Sequence, residues 1–302
     1  MAVIIGGLGD NNLFGTTAND RILGFGGQDI ILGLAGDDRI FGRGNFDRID
    51  GQAGNDTIYG GSEFDFIAGG PDNDYIRGQA GDDQIIGNFG DDRIYGDIGN
   101  DYAAGNEGND TLFGGSGNDF FVGEAGIDVI NGESGNDFLT GGLDNDRIGG
   151  QSGRDLVQGN EGNDYLSGGA DNDVVNGGAG DDTIIGGSGR DVLLGEDGLD
   201  AFFFNSTLNP LTNVDRIRDF NVADDTIWLS DNVFTQAGPV GTLAPDAFTI
   251  GATAADATDR IIYNQANGSL YYDPDGNGSA QQVLFARVSA GLAVTNADFQ
   301  VY

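Results

Sequence analysis

The chain of 302 residues contains no cysteine and no histidine, and its 13 basic side chains are outnumbered by 49 acidic ones. Without cysteine and histidine it cannot form a disulfide, a thiol nucleophile, an imidazole base or the usual zinc site. The formal net charge of −36 argues against nucleic acid as a partner, because phosphate binding relies on Lys and Arg. Hard cations that prefer oxygen ligands remain compatible with this composition.

Long apolar runs are missing as well. Residues 1–6 have no basic region and too few apolar residues for a secretory signal, so any export signal is expected elsewhere. No stretch approaches the ~18 consecutive apolar residues of a membrane-spanning helix. We therefore expect no transmembrane segment.

Proline is scarce, with five residues, whereas glycine supplies 56 residues and far exceeds its usual share of ~7%. Glycine-rich chains of high net charge are typically disordered. In this chain, however, 38% of the residues are apolar and 10% are aromatic. These proportions predict a folded protein whose acidic side chains must be neutralised before its apolar residues can pack.

Glycine recurs at every ninth position from Gly6 to Gly195, which defines 22 consecutive units without an insertion. Aspartate occupies the sixth position of every unit except the first, which has Asn11. The eighth position is always apolar. A strict period of this length indicates a repeat architecture that covers about two-thirds of the chain.

Each unit reads Gly-Gly-x-Gly-x-Asp-x-U-x, where U is apolar, as in the unit from Gly114 to Val122. Six residues suit a turn, in which glycine allows positive φ and inward carbonyl oxygens, and three residues suit a strand. Because a strand of three residues buries little apolar surface by itself, successive units must stack. We predict an all-β fold, a right-handed parallel β-roll of about 11 turns with 18 residues per turn.

The nonapeptide resembles the haemolysin-type calcium-binding repeat of the repeats-in-toxin (RTX) family across all 22 units. The resemblance implies a β-roll in which Ca²⁺ lies between loops one turn apart, held by aspartate side chains and loop carbonyl oxygens. It implies up to about 20 Ca²⁺, enough to offset the net charge of −36. The implied metal ligands are Asp29, Asp38, Asp56, Asp74, Asp83, Asp92, Asp101, Asp110, Asp119, Asp128, Asp137, Asp146, Asp155, Asp164, Asp173, Asp182, Asp191 and Asp200.

A metal-free β-solenoid is the alternative, in which glycine and aspartate serve only as turn residues. Stacking would then place Asp38, Asp56 and Asp74 in one column at the strand spacing of about 4.8 Å. A column of like charges is unfavourable unless cations lie between them. The repulsion within such a column therefore favours the calcium-bound form.

Residues after each aspartate point outward and separate into two columns. One column is unusually apolar for a surface. These residues either favour strand formation through their β-branched and aromatic side chains or form a docking surface, and both interpretations remain open. The members of this column are Ile30, Phe66, Tyr102, Phe120, Phe138, Leu156, Val174 and Val192.

The period stops after Phe203, and the composition changes. We therefore predict two domains, a β-roll over residues 1–203 and a β-rich module over residues 204–302 that caps the roll. Asn267-Gly268 between two strand-like runs predicts a hairpin. The module resembles the carboxyl-terminal region of RTX proteins exported by type I secretion, through residues 215–220, residues 270–276 and the closing segment 298–302.

Many RTX proteins carry an enzyme or toxin domain before the repeats, but here the repeats begin at residue 6 and no Ser-His or lysine-based arrangement is present. We predict a non-enzymatic, secreted calcium-binding protein that is extracellular or associated with the cell surface, as a surface, matrix or adhesion component. Expected partners are calcium, the type I secretion machinery and a cell-surface glycan or surface-layer component. The alternative is a polysaccharide-binding or polysaccharide-modifying accessory resembling the repeat modules of alginate epimerases.

Overall fold

The computed structural model describes residues 1–302 and consists of strands, with two 3-10 helices of one turn each, Pro245–Ala247 and Asn296–Asp298. The chain divides into two compact units, Met1–Ser152 and Gly153–Tyr302. The predicted all-β fold and its parallel β-roll are confirmed. The domain boundary expected after residue 203 rests on composition, and it stays a prediction.

The first unit contains 17 strands in two parallel sheets, one of odd-numbered and one of even-numbered strands. Each strand pairs with the strand one turn away, so that partners are 18 residues apart, as Ile22 and Ile40 are. The strands are β1 Val3–Ile5, β2 Asn12–Phe14, β3 Arg21–Phe25, β4 Ile30–Ala35, β5 Arg39–Gly44, β6 Arg48–Ala53, β7 Thr57–Ser62, β8 Phe66–Pro71, β9 Tyr75–Ala80, β10 Gln84–Phe89, β11 Arg93–Ile98, β12 Tyr102–Glu107, β13 Thr111–Ser116, β14 Phe120–Ala125, β15 Val129–Ser134, β16 Phe138–Leu143 and β17 Arg147–Ser152.

The core between the two sheets is built from the eighth residue of each repeat. Ile31, Ile58, Ile94 and Phe121 at this position are completely buried, and their strand neighbours point outward. Each repeat therefore adds one core side chain, because alternate residues of a strand face opposite sides of its sheet. A core this thin leaves the loops to supply much of the stability.

The second unit continues the same pattern and then departs from it. Its sheets have the orders β19-β21-β23-β25-β31-β26 and β18-β20-β22-β24-β30-β29-β28-β27. The strands are β18 Leu156–Glu161, β19 Tyr165–Ala170, β20 Val174–Ala179, β21 Thr183–Ser188, β22 Val192–Asp197, β23 Ala201–Phe204, β24 Asp215–Ile217, β25 Thr226–Leu229, β26 Gly241–Thr242, β27 Phe248–Ile250, β28 Ile261–Asn264, β29 Ser269–Tyr272, β30 Val283–Arg287 and β31 Phe299–Val301.

Strands that follow the repeats extend both sheets of the second unit. β24 pairs in parallel with β22, and β25 pairs in parallel with β23, as successive repeat strands do. β28 and β29 are antiparallel and enclose Asn267-Gly268, so the predicted hairpin is confirmed. The carboxyl-terminal residues therefore cover the last repeat strands with backbone hydrogen bonds, which removes open sheet edges there.

Neither 3-10 helix is long or apolar enough to cross a membrane, and no other helix is present in residues 1–302.

Candidate metal centre

The sixth residues of the repeats form two rows, which we call the aspartate ladders. Within the first unit, the backbone N–H of a ladder aspartate donates a hydrogen bond to Oδ1 of the aspartate one turn later, as from Asp83 to Asp101 at 2.7 Å. The second unit repeats this contact, as from Asp173 to Asp191 at 2.9 Å. In these pairs, the Oδ1 atom of one turn thus links that turn to the preceding one by accepting a backbone hydrogen bond.

All 18 aspartates predicted as ligands lie in these ladders, and each is at most 3% exposed. In the first unit the predicted ligands are Asp29, Asp83, Asp101, Asp119 and Asp137 in one ladder and Asp38, Asp56, Asp74, Asp92, Asp110, Asp128 and Asp146 in the other. In the second unit they are Asp155, Asp173 and Asp191 in one ladder and Asp164, Asp182 and Asp200 in the other. Their role as ligands remains a prediction that the buried geometry supports.

The second carboxyl oxygen, Oδ2, is the distinctive feature of the ladders. It is buried and accepts no hydrogen bond in Asp29, Asp38, Asp47, Asp56, Asp65, Asp74, Asp83, Asp92, Asp101, Asp110, Asp119, Asp128, Asp173, Asp182, Asp191 and Asp200. A buried carboxylate oxygen without a donor is costly unless a cation or a proton compensates its charge. Because the same oxygen lacks a donor in repeat after repeat, the ladders need a compensating cation or proton that no neighbouring side chain provides.

Oxygen atoms from neighbouring loops face a common space beside the first glycine of a repeat. A Cβ atom built on Gly24 would lie 2.5 Å from Asp29 Oδ2 and 2.7 Å from the carbonyl oxygen of Gly42, one turn later. Any larger residue would fill this space. A carboxylate and a carbonyl oxygen together form the hard-oxygen environment that Ca²⁺ prefers, so these residues fit a calcium ion.

Carbonyl oxygens are required for such a site, because no three acidic side chains converge on one point in residues 1–302. An ion would therefore take aspartate oxygens together with main-chain oxygens of the loops, as the resemblance to RTX repeats implies.

Burial changes the acidity of the ladders. Desolvation, together with a smaller contribution from neighbouring ladder carboxylates, raises the pKa of Asp65, Asp74 and Asp92 to about 8, although a backbone hydrogen bond opposes this rise. Without a cation, these groups would hold their protons near neutral pH. A bound cation has the opposite effect, because an adjacent positive charge favours the ionised form.

Asp47 and Asp65 also occupy ladder positions, although neither is among the predicted ligands. Both are completely buried, and both leave Oδ2 without a donor. Their loops have Asn45 and Glu63 in place of the fourth glycine, yet these residues adopt positive φ of 68° and 74°. The loops thus keep the glycine conformation, and the nine-residue register alone would have identified both aspartates.

The amino-terminal ends of the ladders differ from the rest. Asp20 Oδ2 accepts hydrogen bonds from the backbone N–H of Thr16 at 2.7 Å and from its hydroxyl at 2.8 Å. Asn11 replaces an aspartate, and its Oδ1 accepts the N–H of Gly7 at 2.5 Å. Protein donors therefore contact the side-chain oxygen atoms of these two residues, neither of which was predicted as a ligand.

The model of one protein family, the RTX calcium-binding nonapeptide repeat, matches the chain in nine overlapping segments that together span residues 5–206. The segments are residues 5–40, 32–67, 59–94, 68–103, 95–130, 113–148, 122–157, 149–184 and 176–206. Comparison with curated proteins gives no significant match. The family match covers both ladders and ends at residue 206, close to the end of the nine-residue period.

Proposed function

Because the chain belongs to the RTX calcium-binding nonapeptide repeat family, we propose that this calcium-binding β-roll protein is secreted, folds as it binds many Ca²⁺ ions, and serves as a non-enzymatic surface, matrix or adhesion component. The observation that carries the proposal is the row of buried Oδ2 atoms without hydrogen-bond donors. A cation would compensate the charge of these atoms, and the neighbouring loop carbonyl oxygens would complete a set of hard ligands.

Calcium would supply positive charge between successive loops, which the chain itself lacks. The aspartate of one loop and the glycine carbonyl oxygen of the next, such as Asp29 and Gly42, would hold the ion. Filling the gaps along both ladders gives about 20 ions, whose charge offsets the net charge of −36. The 18 predicted aspartates, with Asp47 and Asp65, provide the carboxylates.

Secretion is the setting in which this chemistry works. Sites of modest affinity stay empty at cytosolic calcium concentrations and fill at the extracellular concentration of around 10⁻³ M. The chain would cross the envelope unfolded through type I secretion machinery, directed by its carboxyl-terminal segment 298–302, and would fold outside the cell.

Counting bound ions tests this proposal. Equilibrium dialysis against about 1 mM calcium, followed by elemental analysis, is expected to show about 20 Ca²⁺ per chain. Magnesium at the same concentration is the control and should not displace calcium, because it demands near-ideal octahedral geometry and keeps its water ligands. Binding of fewer than about five ions would refute a function based on the ladders.

A polysaccharide is a second candidate partner, because an aromatic row lies on the odd-numbered sheet of the first unit. Phe41 stacks on Tyr59 at 5.0 Å, and Tyr95 stacks on Phe113 at 4.9 Å, while Tyr75 connects the two pairs. Arginine and aspartate side chains flank these partly exposed rings. A flat apolar surface with hydrogen-bonding groups beside it suits a sugar ring, which has an apolar face and a hydroxyl rim.

Replacing Tyr59 and Tyr95 by alanine together is expected to weaken glycan binding about tenfold or more, since each ring supplies stacking area. The control replaces Phe120 and Phe138, which stack at 4.6 Å on the even-numbered sheet. A glycan array followed by affinity measurement distinguishes the two variants. Equal losses in both would remove the aromatic row as a binding site, and turnover of the glycan would instead indicate a polysaccharide-modifying role.

A further inference from the structure

Residues beyond the repeats add one more aspartate to each ladder. The N–H of Asp191 donates to Asp215 Oδ1 at 3.1 Å, and the N–H of Asp200 donates to Asp225 Oδ1 at 3.2 Å. These are the contacts that join ladder aspartates elsewhere, but the partners are separated by 24 and 25 residues instead of 18. Asp215 and Asp225 therefore occupy ladder positions that the nine-residue period does not reveal.

The register of the sheet explains this placement. Arg216 of β24 pairs with Val192 of β22, so β24 stands where the strand of the next repeat would stand. Asp215 precedes Arg216 as Asp191 precedes Val192. The loop of the last repeat in this ladder also contacts the new segment, because the N–H of Gly189 donates to Asn213 Oδ1 at 3.1 Å.

The two added aspartates have different surroundings. Asp225 Oδ2 accepts the N–H of Asn221 at 2.8 Å, so both of its oxygens have donors, as in Asp20 at the other end of the repeats. Burial, together with the neighbouring Asp191 carboxylate, instead raises the pKa of Asp215. Asp225 thus closes its ladder with protein donors, whereas Asp215 continues its ladder.

The Asp191 and Asp215 carboxyl groups are both buried. They are 1% and 5% exposed, and Asp191 Oδ2 has no hydrogen-bond donor. Neither group forms an ion pair with an arginine. Two buried carboxylates in contact repel each other unless a cation lies between them.

We propose that Asp191 and Asp215 form a further calcium site, made by the last repeat of one ladder and the first strand outside the repeats. The inference rests on the proposed calcium-binding function and extends it beyond the family motif. An ion at this site would connect calcium binding in the repeats to ordering of the segment that carries β24.

The variant Asp215→Asn tests this site, because an asparagine Oδ1 still accepts the N–H of Asp191 while the charge is lost. Asp225→Asn is the matched control at the equivalent position of the other ladder. Trp228 is the only tryptophan, and it stacks on Phe203 at 5.2 Å, so its fluorescence reports folding of the second unit. The calcium midpoint of this signal is expected to rise about threefold or more in Asp215→Asn and to rise less in Asp225→Asn, which loses the hydrogen bond from Asn221 but no bound ion.

The direction of the shift separates a metal site from a structural contact. If no ion bound there, removing one of two repelling charges would leave the calcium midpoint unchanged or lower it. Native mass spectrometry at saturating calcium should also show one ion fewer in Asp215→Asn than in the unmodified chain. An equal ion count together with an unchanged or lower midpoint overturns the inference.

Further outcomes distinguish this site from the ladders as a whole. Failure of the unmodified chain to bind calcium refutes the proposed function itself, whereas normal binding with no effect of Asp215→Asn refutes only the added site. If Asp215→Asn does not fold, a crystal structure of the unmodified chain grown with calcium decides the question. An ion between the two carboxylates supports the site, and ions only at the other ladder positions overturn it.

Discussion

Removal of calcium by a chelator at neutral pH is expected to abolish most of the β-sheet signal of the chain in far-ultraviolet circular dichroism, and added calcium should restore it. The reason lies in the balance between a thin core and a large charge. Each repeat buries one core side chain, such as Ile58 or Ile94, while the whole chain carries a net charge of −36. Metal binding then supplies the free energy of folding.

The buried carboxyl groups of the ladders explain why folding depends on metal binding. Asp65 is completely buried, and Asp83 is almost completely buried. Burial raises the pKa of both carboxyl groups, and the Asp83 carboxylate also raises the pKa of Asp65. Folding without a cation would require these groups to be buried as charges or to keep their protons, and both states cost free energy at neutral pH. Magnesium in place of calcium is the control and should not restore the signal. A spectrum that chelation leaves unchanged would contradict calcium-dependent folding.

Replacement of Gly135 by alanine is expected to reduce the free energy of unfolding by about 3–5 kcal/mol at saturating calcium. Gly135 occupies the fourth position of its repeat, with φ of 144°. A Cβ atom there would overlap the carbonyl oxygen of Gly117, one turn earlier, and would lie 2.5 Å from its carbonyl carbon. Because the obstacle is main chain, the loops themselves would have to separate.

Gly149→Ala is the matched control within the same unit. A Cβ atom on Gly149 would first meet Nε2 of Gln151 at 3.1 Å, the far end of a flexible side chain. The expected change is below about 1 kcal/mol, because that side chain can move and the backbone is not strained. Urea unfolding of both variants at saturating calcium measures the difference. Equal losses of stability would show that close loop stacking does not limit the fold.

Much of the first unit could be predicted from the sequence because its contacts repeat with the period of the residues themselves. Gly24, Asp29 and Ile31 hold the first, sixth and eighth positions of one repeat, and structural roles follow from position alone. The parallel pairing of strands 18 residues apart then places the aspartates in ladders and the apolar residues in the core. The fold class and the ladder positions thus needed no knowledge of distant contacts.

The departures from the motif were harder to interpret from the sequence. Asn45 and Glu63 replace the fourth glycine of their repeats, and both residues adopt the glycine-like backbone, with Asp47 and Asp65 completely buried. Stacking of each loop against its neighbours holds that backbone conformation, at a cost of roughly 1–2 kcal/mol for a residue such as Glu63. Local preference alone therefore does not determine the shape of these loops, because the neighbouring turns constrain it.

By itself the sequence determined the repeat, the two alternating faces and the row of aspartates, because each of these depends on spacing along the chain. Only the tertiary structure decided which residues outside the repeat join the ladders. Asp215 and Asp225 reach their positions through the pairing of β24 with β22 and of β25 with β23, across irregular connections. The positions of Asp215 and Asp225 depend on contacts between segments that share no sequence period, so they cannot be predicted from a local sequence pattern.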